Sequence, residues 1–227
     1  MFEIIIWKTG GAMKKIKVLH NVLAANDQVA DTLRKELKKR SITLINVMGS
    51  PGSGKTSLIE KSIKELPERH FAVIEGDIET SLDAEKMSSL NVETFQINTG
   101  PFGGDCHLEA SWVKSAVDSM SLKGVDLVFI ENIGNLVCPA EFDTGAHINV
   151  VILSTPEGED KPLKYPLMFR KSDVLVISKM DLVPHLNVNI ETIIKNARGI
   201  NPEILVFPLS TKTNEGVDKW VEYLRRV

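Results

Sequence analysis

Eight consecutive residues, Gly49-Ser50-Pro51-Gly52-Ser53-Gly54-Lys55-Thr56, match the pattern G-x-x-x-x-G-K-[ST] in full. Glycines at these positions let backbone N–H groups turn inward around a phosphate, and a helix opening near Gly54 aims its positive end at the same point. Lys55 is placed to bridge the β- and γ-phosphates of a nucleotide. The Thr56 hydroxyl is placed to ligate Mg²⁺, and Ser57 follows it in the first helical turn. The bland alternative is a glycine-rich turn; at an average glycine usage of ~7%, a chance match in a chain this long is on the order of one in a hundred. An apolar run before the loop and a helical pattern after it supply the context the motif requires. Nucleoside triphosphate binding is the expectation.

A second set of residues bears on the base. Ser178-Lys179-Met180-Asp181 differs by one residue from the N-K-x-D box that reads guanine. An aspartate there accepts the N1–H and exocyclic amino protons of guanine, a donor pair that adenine lacks. Lys179 would lay its stem along the base, while Ser178 replaces an amide with one hydroxyl. Ser210-Thr211-Lys212 resembles the S-A-K loop that offers a backbone N–H to guanine O6. Taken alone, S-K-M-D reads equally as a surface turn; in order behind a phosphate loop, the two boxes point to GTP.

Acids close two apolar runs. Asp77 follows Ile74-Glu75-Gly76, and Glu131 opens Glu131-Asn132-Ile133-Gly134. A carboxylate at such a strand end holds Mg²⁺ or orders the attacking water, and the Gly134 N–H is placed to sense a γ-phosphate. E-x-x-G stands where D-x-x-G is usual, and its longer arm suggests contact through water. The alternative for either acid is a solvated strand end.

The chain has two cysteines, Cys106 and Cys138, and His107 adjoins the first. Two thiolates and an imidazole suit Zn²⁺ or, in a flatter geometry, Ni²⁺. Two buried thiols and a capping histidine are the equal alternative, and an isolated pair of this kind is expected as reduced thiols, a metal site or a redox pair rather than a structural disulfide. Three ligands fall one short of a closed tetrahedron, so water, backbone or a second copy of the chain would complete the site, which favours exchange. His147, at a strand entrance, reads as a surface histidine.

The elements that must position these groups alternate. Short β-branched runs at Ile42–Met48, Phe71–Ile74, Asp126–Ile130, Ile148–Leu153, Val174–Ile177 and Ile204–Phe207 read as buried strands. Helical periodicity marks residues 21–40, Lys55–Lys64, His107–Met120, Ile190–Ala197 and Val217–Arg225. The pattern predicts an α/β fold, a mostly parallel sheet covered on both faces, with residues 21–40 as an added N-terminal helix and 41–227 as one nucleotide-binding domain. Residues 1–20 read as a flexible or non-native extension, with Met13 an alternative start.

Composition narrows the class. Over 227 residues, 43% apolar and 25% charged, the chain is long enough for a sizeable core. A formal net charge of −3 gives no general attraction to nucleic acid or anionic membrane. No apolar run reaches the ~20 residues of a membrane span, and no signal peptide is evident, so the expected setting is cytoplasmic.

Three segments together resemble one family: Cys106-His107-Leu108-Glu109-Ala110, Glu131-Asn132-Ile133-Gly134-Asn135-Leu136-Val137-Cys138-Pro139, and Glu157-Gly158-Glu159-Asp160-Lys161-Pro162-Leu163-Lys164-Tyr165-Pro166. They are similar to the HypB family of hydrogenase maturation GTPases, from about residue 21 to the C-terminus. The resemblance implies a P-loop NTPase three-layer sandwich that dimerises with GTP bound. It implies a metal site of Cys106, His107 and Cys138. It also implies GTP-dependent nickel insertion into [NiFe] hydrogenase, with a HypA-type nickel metallochaperone and the hydrogenase large-subunit precursor as partners. The cysteine-rich N-terminal motif and histidine-rich tract of some members have no counterpart here.

Four positions separate Gly134 from Cys138, so the loop 131–138 is expected to link nucleotide state to metal affinity. No arginine finger stands out, which predicts slow intrinsic hydrolysis accelerated by a partner or a dimer. Two rivals are a urease-accessory-type nickel GTPase, and a P-loop small-molecule kinase with Asp77 as base.

Overall fold

The computed structural model describes residues 18–77, 92–100 and 106–227; the expectations for residues 1–17 fall outside it. Seven strands form one sheet: β1 (Thr43–Gly49), β2 (Phe71–Asp77), β3 (Glu93–Asn98), β4 (Leu127–Glu131), β5 (Ile148–Ser154), β6 (Val174–Ser178) and β7 (Leu205–Pro208). Their order is β3-β2-β4-β1-β5-β6-β7, and every pairing is parallel. β1 lies centrally, between β4 and β5, with Val47 opposite Glu131 and Gly49 opposite Ile152. That register brings the phosphate loop, Glu131 and the end of β5 together at the carboxyl edge, where parallel sheets bind ligands.

Strand alternation explains the layers. Ile45 and Val47 point to one face and, with Val73, Phe129 and Val176, pack beneath α2 (Lys55–Glu65) and α8 (Val217–Arg226). Trp220 of α8 is fully buried there, and its indole N–H donates to Ser62 Oγ at 2.8 Å, so the burial leaves no orphaned donor. Leu44, Ile74 and Ile130 point the other way, against α1 (Val18–Lys39) and α3 (Ala110–Ser119). Further along that face Met48, Val151 and Ile177 carry α4 (Cys138–Glu141), α6 (Pro166–Lys171) and α7 (Ile190–Ile200). A single turn, α5 (Lys161–Lys164), precedes α6. The result is the three-layer sandwich. Among the described residues no helix is long and apolar enough to cross a membrane.

α1, the added N-terminal helix, packs onto this body. Leu33 and Leu37 are fully buried, and Arg34 donates from Nε to the Ala146 carbonyl at 3.0 Å. Its other end forks onto Asp143 at 2.6 and 2.8 Å.

Three local expectations need correction. β3 was not expected: as an edge strand it is only half-buried, so it lacks the continuous apolar run of its neighbours. The third helix starts at Ala110, not at His107, because Glu109 is extended (φ −92°, ψ 153°). The short helices α4, α5 and α6 also escape periodicity, each being under two turns and carrying a proline in its first turn.

Candidate functional site

Gly49 ends β1 where only glycine fits: its φ is +152°, and a Cβ would lie 2.6 Å from the Ile152 carbonyl oxygen. Gly52 (φ +72°) and Gly54 (φ +102°) complete the turn, and Gly54 caps α2 from the left-handed region. Lys55 is 7% exposed, and its ammonium donates to the carbonyls of Gly49 (3.4 Å) and Ser50 (3.2 Å). Burying the charge is tolerable because those carbonyls solvate it; a polyphosphate would replace them with a stronger acceptor. Ser53 is buried in the loop, whereas Pro51 and Ser57 are exposed.

The Thr56 hydroxyl donates to Glu131 Oε1 at 2.7 Å. Thr56 and Glu131 therefore form one oxygen-rich corner beside the loop, the hard-donor chemistry that Mg²⁺ takes. Asp77 closes β2, and its backbone pairs with Asn98; its side chain lies outside the described atoms.

Beneath the loop runs a chain of amides that sequence reading missed. Asn132 Nδ2 donates to Asn46 Oδ1 and Asn46 Nδ2 to Asn149 Oδ1, both at 3.0 Å, across β1 and its two neighbours. The Ile133 N–H donates back to Asn132 Oδ1 at 2.9 Å, fixing the turn that follows Glu131. The available signal was Asn46, a polar residue inside an otherwise apolar strand.

The base box closes from two sides. Ser178 Oγ donates to the Ser53 carbonyl at 2.6 Å, tying β6 to the phosphate loop. Lys179, in the left-handed region (φ +60°), reaches the Gly52 carbonyl at 2.7 Å. Asp181 is held by the Ser210 hydroxyl at 2.7 Å and faces Lys212 at 3.9 Å. Thr211 lies in the turn between those two residues. The carboxylate is thus held in a fixed orientation.

From this corner the chain runs to the cysteines. A Cβ on Gly134 would sit 2.8 Å from Pro51 Cγ and 3.0 Å from the Pro51 nitrogen, so the two loops touch without slack. The Asn135 N–H donates to the Gly49 carbonyl at 3.1 Å. Cys138 is disulfide-bonded to Cys106, with a Cα separation of 6.1 Å. His107 stacks on Phe142 with ring centroids 3.7 Å apart, on the far side of α4 from Cys138 in sequence. Cys106 and Cys138 are therefore together, and among the described residues no three His, Cys, Asp or Glu side chains converge on a metal-sized gap.

Both cysteine segments are pinned by α1. Asn26 Nδ2 donates to the Asp143 carbonyl at 2.8 Å, and its Oδ1 accepts the Ala110 N–H at 2.9 Å. His147 is half-buried rather than a free surface residue. The Leu44 N–H donates to its Nδ1 and its Nε2 meets the Arg34 carbonyl, each at 3.0 Å. This arrangement selects the neutral Nε2–H tautomer. Burial first, then the charges of Arg34 and Lys38, hold its pKa below the ordinary 6.5, against the opposing pull of the Arg34 carbonyl.

Comparison with known proteins agrees with this geometry. Residues 43–208 match the family model described as CobW/HypB/UreG, nucleotide-binding domain. The chain is 44% identical over 217 residues to the hydrogenase maturation factor HypB of Azotobacter chroococcum, covering 94% of this chain and 69% of that protein. It is 40% identical to a probable HypB of Methanocaldococcus jannaschii, covering 93% of this chain and 95% of that one. A crystal structure of Helicobacter pylori HypB in complex with nickel superposes with a TM-score of 0.82 at 36% identity, covering 89% of this chain and 94% of that chain. The chain belongs to the CobW/HypB/UreG family and, within it, to the HypB hydrogenase maturation factors, which are GTPases.

Proposed function

We propose that this GTPase delivers nickel during [NiFe] hydrogenase maturation, with its nucleotide state coupled to metal binding and dimerisation. The observation that carries the proposal is the loop 131–138. It starts at Glu131, hydrogen-bonded to Thr56 of the phosphate loop, and ends at Cys138, joined to Cys106. Nucleotide and cargo thus share one eight-residue segment.

In the nucleotide half, Lys55 leaves its two carbonyls for the β- and γ-phosphates, and the N-terminus of α2 stabilises the same charge. Asp181, with the Ser210-Thr211-Lys212 turn, selects guanine. Thr56, directly, and Glu131, through water, would hold Mg²⁺, which neutralises charge on the phosphates; Asp77 is a further candidate. Gly134 turns its N–H to the γ-phosphate. Positioning and charge stabilisation are the catalysis here, and with no arginine finger in the motifs intrinsic turnover is slow.

In the cargo half, the metal is substrate. Cys106 and Cys138 bind it as thiolates, so the loading form is the reduced one, and His107 leaves Phe142 to supply the imidazole. Thiolates about 2.3 Å and an imidazole about 2.0 Å from the ion suit either Zn²⁺ or Ni²⁺. Similarity to the nickel-containing Helicobacter pylori structure supports nickel. Leu163 (60% exposed) on α5 and Leu167 (37% exposed) on α6, on either side of Tyr165, offer an apolar patch for the GTP-bound homodimer. A HypA-type metallochaperone would supply the ion, and a hydrogenase large-subunit precursor would receive it.

A second reading has specific support. The relatives in Helicobacter hepaticus and Helicobacter pylori, 38% and 37% identical, are named hydrogenase/urease maturation factors. Nickel delivery to urease by this chain is therefore a defined alternative. Reconstituting nickel transfer to each apo-enzyme precursor, with Lys55→Ala as control, separates the two. Transfer to neither that requires GTP hydrolysis would overturn the proposal.

A further inference from the structure

Asn135 is bonded both to the phosphate loop and to one of the two cysteines. Its backbone N–H donates to the Gly49 carbonyl at 3.1 Å, forming a bridge between the end of β1 and the loop. Its side-chain Oδ1 accepts the Val137 N–H at 2.7 Å, which sets the orientation of the amide. The other end, Nδ2, consequently faces Cys138 and donates to Sγ at 3.6 Å, within range for a sulfur acceptor. One residue thus touches the phosphate loop with its backbone and Cys138 with its side chain.

The Gly49 carbonyl also receives the Lys55 ammonium, at 3.4 Å. A bound triphosphate competes for that ammonium, and at Gly134 there is no room for a Cβ, which would lie 2.8 Å from Pro51 Cγ. The Gly134 N–H lies in the 133–134 peptide, so turning it toward a γ-phosphate moves the adjoining 134–135 peptide and alters the bond from Asn135 to Gly49. Any such turn carries the amide with it, because Oδ1 is tied to Val137 and Nδ2 to Cys138.

We propose that Asn135 is the positioning residue that transmits nucleotide state to the metal site, by donating its side-chain N–H to Cys138 in one state and withdrawing it in the other. This rests on the coupling proposed above. It assigns that coupling to one donor–acceptor pair rather than to the loop as a whole, and the two-state element is the hydrogen-bonded turn 134–138.

The test uses the full chain with its cysteines reduced, and Ni²⁺ and Zn²⁺ as probes. Affinity is measured with GDP and with a non-hydrolysable GTP analogue, and the readout is the ratio of the two. Asn135→Asp keeps the acceptor for Val137 but presents no N–H to sulfur. Asn135→Ala removes both ends without adding charge and serves if the first variant folds poorly. Allosteric factors typically lie at about 5–150 fold. The wild type is expected to show a ratio of about 5 or more, and both variants a ratio within about twofold of one. A variant that is folded, binds both nucleotides and retains the wild-type ratio overturns the role of Asn135 alone. A wild-type ratio of one overturns the coupling itself, and this inference with it.

Discussion

The Thr56 hydroxyl lies 2.7 Å from Glu131 Oε1, a contact that joins residues 75 positions apart across the carboxyl edge of two adjacent strands. β1 and β4 are in register at Val47 and Glu131, so β1 delivers the phosphate loop and its neighbour β4 delivers the acid to the side of that loop. A glutamate where GTPases commonly carry aspartate still reaches the threonine directly in this state.

Glu131→Gln keeps an acceptor for Thr56 but removes the charge. Losing a residue that supports a metal ligand typically costs about 10–100 fold in activity. Single-turnover phosphate release should fall by that factor, while GDP affinity stays within a few fold. Unchanged turnover across the Mg²⁺ range would remove Glu131 from the site.

Asp181→Ala leaves the Ser210 hydroxyl and Lys212 without their shared acceptor and gives guanine no carboxylate. Hydrogen bonds to a charged group are worth about 1.5–3 kcal/mol, which corresponds to roughly 10–150 fold. GDP affinity by calorimetry should weaken by that factor, and ADP affinity should hardly change. Equal loss for both nucleotides would mean that Asp181 supports the fold and does not select the base.

His147 makes stability pH-dependent. Its folded pKa is depressed, chiefly by burial, so the unfolded chain takes up a proton first as pH falls through about 6.5. Stability is complete above that pH and declines toward the folded pKa. His147→Gln should lose less Tm between pH 7.5 and 5.5 than the wild type, by less than one proton's worth of slope. Parallel curves would contradict the assignment.

Leu163→Ala with Leu167→Ala should leave a folded monomer but weaken self-association in the presence of a GTP analogue, by at least about 10 fold if the pair is central to the interface. Sedimentation at several concentrations measures it. An unaltered dimer would place the interface elsewhere.

The core of this fold was readable because its strands are buried on both faces. Ile42–Met48 and Val174–Ile177 are apolar, β-branched runs that read as buried parallel strands, whereas β3, half-buried at the edge, has no such run. The phosphate loop was legible for a related reason: its glycines meet a backbone requirement, seen in the 2.6 Å approach that a Gly49 Cβ would make to Ile152. What Ser178 does was not legible. Its hydroxyl straps the base box to Ser53, a contact between positions 125 apart that no local pattern encodes. The Asn132–Asn46–Asn149 chain and the Asn26 clamp escaped for the same reason: Asn46 stands out in its apolar strand, but its partners and those of Asn26 are defined only once the sheet is assembled. The disulfide between Cys106 and Cys138 departs from the expectation of reduced thiols, a metal site or a redox pair, and the stacking of His107 on Phe142 was not legible.

The central claim is that one loop serves nucleotide and metal, and Ni²⁺ binding to the reduced protein tests it most directly. Affinity and stoichiometry would be measured with GDP, with a non-hydrolysable GTP analogue and with neither, in the wild type and in Cys106→Ala. The account predicts a wild-type affinity or stoichiometry that changes with nucleotide, and loss of the site in the variant. Identical binding in every nucleotide state, or binding that survives loss of Cys106, would contradict it.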